Sequence, residues 1–347
     1  MVKTYAFSFA ADQGYTIHGD KVYARIGRRD LGDVHMTDLV VRRMPWMFDT
    51  SVPFQWQPAN PLAGIFGNVF TFFAVPFEQY IIGALRDAKG QVTDAVVADE
   101  MEAFVRQEGQ HSWAHRKHMN TLIKQYPGLK ETAREAAELF DGLLATRSTE
   151  FHVSYIANIE ATFTPLFKIF LDHRDSIFGG GDPRIASLIL WHFVEEIEHR
   201  SSGLIICQHL TPNRWTRTKY VPATAKHVRS VVEAIARGFD RHVPAADRGG
   251  LSAHKAMTSD VAFGEVKARL RPCFLGPSRK VGPPRIFHGV PSRELVLMVG
   301  RLITSQAPYH NPAEQPLPEW AAVWMDEYER GVDMTTFFDR PAKASLA

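Results

Sequence analysis

An all-α fold is what this sequence predicts: a four-helix bundle with an N-terminal arm and a mostly helical C-terminal extension. Three observations carry that expectation. Apolar residues recur at helical spacing from about residue 64 onward. Clear breakers, Lys89-Gly90, Tyr126-Pro127-Gly128 and Gly179-Gly180-Gly181-Asp182-Pro183, divide the run into four segments. Each apolar stripe is interrupted where a glutamate or histidine falls on it.

Residues 1–60 mix short polar and apolar pieces with turn formers such as Asp12-Gln13-Gly14, and they hold no long helical period. They read as an arm wrapping the main body. The bundle is expected over 61–212. Its first segment is the least regular, because Pro76 either begins a helix or kinks one running from about Leu62; in both cases Glu78 lines up with Val75, Ile82 and Leu85. The second is the clearest: Val97, Met101, Phe104, Glu108, His111, His115, His118 and Leu122 share one helix face. The third puts Thr149, Val153, Ile156, Glu160, Phe163, Phe167 and Phe170 on one face, with a kink expected at Pro165. The fourth reads Ile189, His192, Glu196, His199, Gly203, Ile206 and Leu210, as one helix. Residues 213–347 are richer in Pro and Arg, with helical stretches expected near 223–239, 255–270, 292–305 and 317–331, and read as an extension packed on the bundle.

Composition narrows the function classes. The chain is 45% hydrophobic and 22% charged, which excludes a disordered or repeat chain. A net charge of +2, with no run of Lys/Arg interleaved with aromatics, argues against nucleic acid as a partner. Two cysteines, Cys207 and Cys273, cannot build a disulfide framework, and no signal-like segment opens the chain, so the cytoplasm is the expected compartment. The uncharged, Phe-rich stretch 61–77 is shorter than the roughly 20 residues a membrane span needs. It reads as buried or binding surface, with membrane contact as the minor reading.

The chemistry lies in the interruptions. Glu108 and His111 are three residues apart, as are Glu196 and His199, so each pair can offer an oxygen and a nitrogen to one metal. Glu78 and Glu160 stand singly on the other two segments, and His192 adds a third imidazole one turn before Glu196. A glutamate from each of two helices with a Glu-x-x-His pair from each of the others is the arrangement of dimetal carboxylate bundles. Four carboxylates facing one interior require neutralisation, which two divalent ions supply. Glutamate with imidazole, and no Cys on the stripes, suits iron first and manganese second. The expected metal ligands are therefore Glu78, Glu108, His111, Glu160, His192, Glu196 and His199. His115 and His118 read as supporting or pocket residues, Glu195 and Glu198 as solvated or ion-paired, and His152 has no reading.

The order Glu, Glu-x-x-His, Glu, His-x-x-x-Glu-x-x-His resembles the ligand pattern of the di-iron arylamine N-oxygenases, whose fold is ferritin-like. Val75-Pro76-Phe77-Glu78 followed by Arg86 is similar to a bacterial family of predicted metal-dependent hydrolases, which usually carries Gly where this chain has Phe77. The resemblance covers about 60–212 and says little of the arm or the C-terminal region. It implies a ferritin-like bundle acting as a non-haem di-iron oxygenase, which uses O2 and an external electron donor to oxidise a C–H or N–H group of a small or lipid-like substrate. A redox partner is expected, and a homodimer is compatible with it. The alternative is a dinuclear hydrolase of an ester or phosphate; a ferritin-like iron-handling protein is the third reading.

Overall fold

The computed structural model describes residues 39–257, 286–287 and 289–339, together with the backbone of three short strands in the arm. Those strands, β1 (Tyr15–His18), β2 (Lys21–Ala24) and β3 (Val34–His35), form an antiparallel sheet in the order β1-β2-β3, with Thr16 opposite Tyr23 and Tyr23 opposite His35. Everything else regular among the described residues is helical.

The bundle is built by α1 (Pro61–Ala88), α2 (Ala95–Gln125), α4 (Thr149–Asp172) and a broken fourth element, α6 (Pro183–Glu198) followed by α7 (Ser202–Leu210). Each of its four helical segments starts where the sequence supplies a cap. Asn60 accepts from the backbone N–H of Ala63, Asp94 from Val96 and Val97, Ser148 from Phe151, and Asp182 from Arg184; Pro61 and Pro183 follow as first helical residues. Pro76 and Pro165 lie inside α1 and α4, which run on through them, so each leaves the carbonyl four residues earlier without its helical donor.

Two expectations are corrected. The fourth stripe is not one helix: α6 ends at Glu198, His199 caps it, and a turn closed by Ser202 N–H on His199 C=O precedes α7. Periodicity survives such a break because a single turn restores the phase. Between Pro127 and Thr149 lies a further helix, α3 (Leu129–Thr146), which the stripe beginning at Thr149 did not separate. It packs outside the bundle on α1 and on α9 (Val221–His242), to which α8 (Trp215–Lys219) leads. Short helices α5 (Arg174–Phe178) and α10 (Ala253–Met257) complete the links. The later helices α11 (Ser292–Thr304) and α12 (Glu319–Glu329) both lie against α4, and the expected helix near 255–270 falls largely outside the described residues.

Residues 39–60 form an extended strap. It has no sheet partner among the described residues, so its carbonyls are met by turns, by the Asp182 backbone N–H on Trp56 C=O, and by side chains. Asn68 donates to Phe54 C=O (2.7 Å), Lys117 to Trp46 C=O (2.8 Å) and Gln125 to Val52 C=O (2.8 Å), so α1 and α2 hold the strap down. Trp46, Phe54 and Trp56 are buried beneath it. One helix among the described residues, Pro61–Gln91, is long and apolar enough to cross a membrane, and 78% of its most apolar window is buried inside the molecule.

Candidate metal centre

The residues singled out from the sequence come together. Ligand-type atoms of Glu78, His111 and His192 lie within 4.8 Å of one another, and those of Glu108, Glu160, Glu196 and His199 do the same. All seven side chains are buried. α1 supplies Glu78, α2 supplies Glu108 and His111, α4 supplies Glu160, and α6 with its cap supplies His192, Glu196 and His199.

The two groups adjoin through two carboxylates. Glu196 Oε1 lies 2.7 Å from His192 Nε2 and 3.5 Å from His111 Nδ1, while its Oε2 lies 3.0 Å from His199 Nε2. Glu108 likewise presents Oε2 to His111 Nδ1 at 3.6 Å and Oε1 to His199 Nε2 at 3.3 Å. Glu78 and Glu160 sit at the outer ends, with Glu78 Oε1 3.7 Å from His192 Nδ1 and Glu160 Oε2 3.6 Å from His199 Nε2.

Gly203, at the start of α7, makes room for Glu160. A Cβ there would stand 3.0 Å from Glu160 Cγ, tighter than ordinary packing allows. The break after His199 thus puts a residue without a side chain against a carboxylate of the centre.

The imidazoles are oriented by partners that sequence reasoning did not assign. His111 Nε2 donates to Glu195 Oε2 (2.9 Å), and its Nδ1 faces Glu108 and Glu196. Arg42, from the strap, donates to Glu195 (3.1 Å) and makes two hydrogen bonds to Glu198 (2.8 and 2.9 Å). Glu195 is therefore ion-paired and fully buried, not solvated. His199 Nδ1 donates to Gln107 Oε1 (3.0 Å); the Gln107 amide is fixed by its own donation to Glu198 and to Val40 C=O. His192 Nδ1 lies 2.9 Å from His115 Nε2, and Thr71 Oγ1 lies 3.0 Å from Nδ1 of both His115 and His118. His152 belongs elsewhere, paired with Tyr80 OH at 2.8 Å. Arg42, Thr71 and Gln107 left no signal in the sequence, since none interrupts a periodic stripe in a way that separates it from an ordinary polar residue.

Electrostatics mark the interior as incompletely neutralised. Burial pushes Glu78 and Glu160 well above the usual carboxylate range, and Glu108 above it, with neighbouring carboxylates adding to the effect. Glu196 goes the other way: burial opposes its charge, yet His199 and His192 hold it well below. Burial likewise opposes a charge on His111 and His199, but the surrounding carboxylates raise both well above the ordinary imidazole value. Burial pushes His192 down to about 4 and His118 to about 3.

Both oxygens of Glu78, Glu108 and Glu160, and Nδ1 of His111, are buried without a hydrogen-bond partner among the described residues. Seven such atoms in one place are costly unless something positive meets them. The donor set of four carboxylates and three imidazoles fits divalent cations, and its unpartnered atoms point where such cations would sit. Phe104 packs edge-on to His199 (4.9 Å), Trp191 to His111 (5.2 Å) and Phe70 to His192 (4.9 Å), closing the centre with apolar rings.

Comparison with known proteins agrees with a metal site. Neither the curated proteins nor the solved structures contain a significant match. The family model described as "predicted metal-dependent hydrolase" matches residues 40–266, well over half of the chain. That match spans the strap that carries Arg42 and every residue of the buried donor set, and the chain belongs to this family of predicted metal-dependent hydrolases.

Proposed function

We propose that this protein is a ferritin-like, dinuclear non-haem iron oxygenase, with Glu78, Glu108, His111, Glu160, His192, Glu196 and His199 holding the two ions; manganese is the second choice. The observation that carries the reading is the set of unpartnered carboxylate oxygens enclosed with three imidazoles inside a ring of apolar side chains. Such an enclosed centre suits an oxidant that must be kept from water. When bound, the two ions supply O2 activation. The net reaction is R–H + O2 + 2e⁻ + 2H⁺ → R–OH + H2O, with both electrons from an external donor and R–H a C–H or N–H group of an organic substrate.

The chain's own residues do four things. Glu108 and Glu196 offer one oxygen to each half of the centre and would serve both ions. Glu195 and Gln107 fix the tautomers of His111 and His199, so that their free nitrogens face the carboxylates. Arg42 offsets the charge of Glu195 and Glu198 behind them. Phe70, Phe104 and Trp191 exclude water.

A dinuclear hydrolase is the second reading, favoured by the family description. In it the same ions would lower the pKa of a bound water for attack on an ester or phosphate. One experiment separates the two. The protein is loaded anaerobically with Fe(II) and then exposed to air with a reductant and a substrate panel, beside zinc-loaded protein offered p-nitrophenyl esters and phosphates under argon. Oxygen uptake with a new absorption band in the iron form supports the oxygenase; ester or phosphate turnover by the zinc form, without oxygen uptake by the iron form, replaces it with the hydrolase.

A further inference from the structure

Beside the centre, between α1, α4 and α9, lies a cavity of about 340 Å³. Its inner wall is made by Phe70, Phe163 and Phe167, and its outer side by half-buried residues that include Leu166, Val221 and Val228, where it reaches the surface. Among the described residues no charged side chain lines it. The polar residues of its wall are already engaged. Asn158 donates to Arg217 C=O and Thr224, Thr162 donates to Ile159 C=O, and the Gln306 amide N–H group donates to Asn158 C=O and Ser305. Gln306 Oε1 has no partner but is itself shut away from solvent. Among the described residues, the wall therefore offers a ligand no charge, and few polar groups beyond the Thr224 hydroxyl.

Size and position add to chemistry. A cavity of about 150 Å³ with apolar walls stays dry and admits benzene, so one of 340 Å³ has room for a two-ring aromatic or a medium-length alkyl chain. Phe70 belongs to both places: it lines the cavity, and its ring packs edge-on to the imidazoles of His192 at 4.9 Å and His115 at 5.4 Å. Phe163 lines the cavity one turn beyond Glu160 on the same helix. Phe70 thus touches both this space and an imidazole of the donor set.

We propose that this cavity binds the substrate, and that the part of the substrate entering it is an uncharged hydrocarbon, an aromatic ring system or alkyl chain, held by burial alone. The assignment as substrate rests on the oxygenase reading; the binding of a hydrocarbon does not. Binding follows from the roughly 25 cal/mol gained per Å² of apolar surface removed from water, with few polar groups to desolvate.

The test uses the full chain and naphthalene as the probe, by calorimetric titration of the metal-free and the Co(II)-loaded protein. Saturable one-to-one binding is expected in both. Val228→Phe and, separately, Ala225→Leu fill the space from α9 and should each weaken binding at least tenfold, with metal content and thermal unfolding unchanged. Naphthalene should also shift the visible absorption of the Co(II) form, because Phe70 passes the contact to His192. Absence of saturable binding, or equal binding by both filled variants, overturns the cavity assignment while leaving the metal centre untouched. Binding that leaves the Co(II) spectrum unmoved overturns the link to the centre. Naphthalene bound, two metals loaded and no oxygen uptake from any panel substrate would instead count against the oxygenase reading.

Discussion

The two halves of the buried centre differ in kind. One, Glu78, His111 and His192, is rich in nitrogen; the other, Glu108, Glu160, Glu196 and His199, is rich in carboxylate. Their supports differ as well. His192 leans on His115 and Thr71 deep in the bundle, whereas His199 is held by Gln107 near the strap. Glu108 and Glu196 face both halves, so what distinguishes the halves is Glu78 with two imidazoles on one side and Glu160 with one imidazole on the other. Yet both halves share an anchor. Arg42 reaches His111 through Glu195 and His199 through Glu198 and Gln107, so one strap residue steadies an imidazole in each.

The largest way to break the comparison is to remove that shared anchor. Arg42→Leu leaves Glu195 buried without its cation and should cost about 3–5 kcal/mol of stability, measured by urea unfolding, with metal binding weakened in both halves. His115→Leu acts on one half only. It removes the group that orients His192 and should weaken the metal bound beside His192 by roughly 10–100-fold in a titration, leaving the other nearly unchanged. Gly203→Ala presses on Glu160 from the other side and should weaken the metal bound beside Glu160 by a smaller factor, about tenfold or less, with the one beside His192 spared.

Asp182→Ala is the smallest change and favours neither half. It removes the cap of α6, which carries donors for both, and should cost about 1 kcal/mol near neutral pH. Burial opposes the charge on Asp182, but hydrogen bonds from Arg184 hold its carboxyl below the usual value. A depressed folded-state pKa contributes stability above the ordinary carboxylate value, about 4, and loses it as pH falls through the depressed one. The difference between wild type and variant should therefore shrink below about pH 4 in acid unfolding curves.

The donors were legible because each interrupts an apolar face at a helical step, and a charged residue inside such a stripe stands out against its neighbours. The start of α6 was legible for a local reason, since the breaker that ends in Asp182-Pro183 announces it, whereas that of α1 stayed open between about Leu62 and Pro76. What failed to appear in the sequence depends on contacts between distant segments. Arg42 meets Glu195 across more than 150 residues, and Thr71 sits among apolar neighbours on α1 with nothing to mark its contact with two histidines. The break between α6 and α7 was hidden because His199, Gly203 and Ile206 keep the periodic phase on either side of a turn. The helix Leu129–Thr146 was hidden because its apolar face meets α1 and α9 outside the bundle and carries no donor residue.

The central claim is that these seven side chains hold two metal ions, and metal content measures it directly. Wild type and a Glu108→Ala/Glu196→Ala variant, which loses the two carboxylates touching both halves, are loaded anaerobically with Fe(II), freed of excess and assayed for iron per chain, with circular dichroism as a check on folding. The account predicts about two irons per wild-type chain and close to none in the folded variant. A wild type that retains no metal, or a folded variant that still holds two, would contradict it.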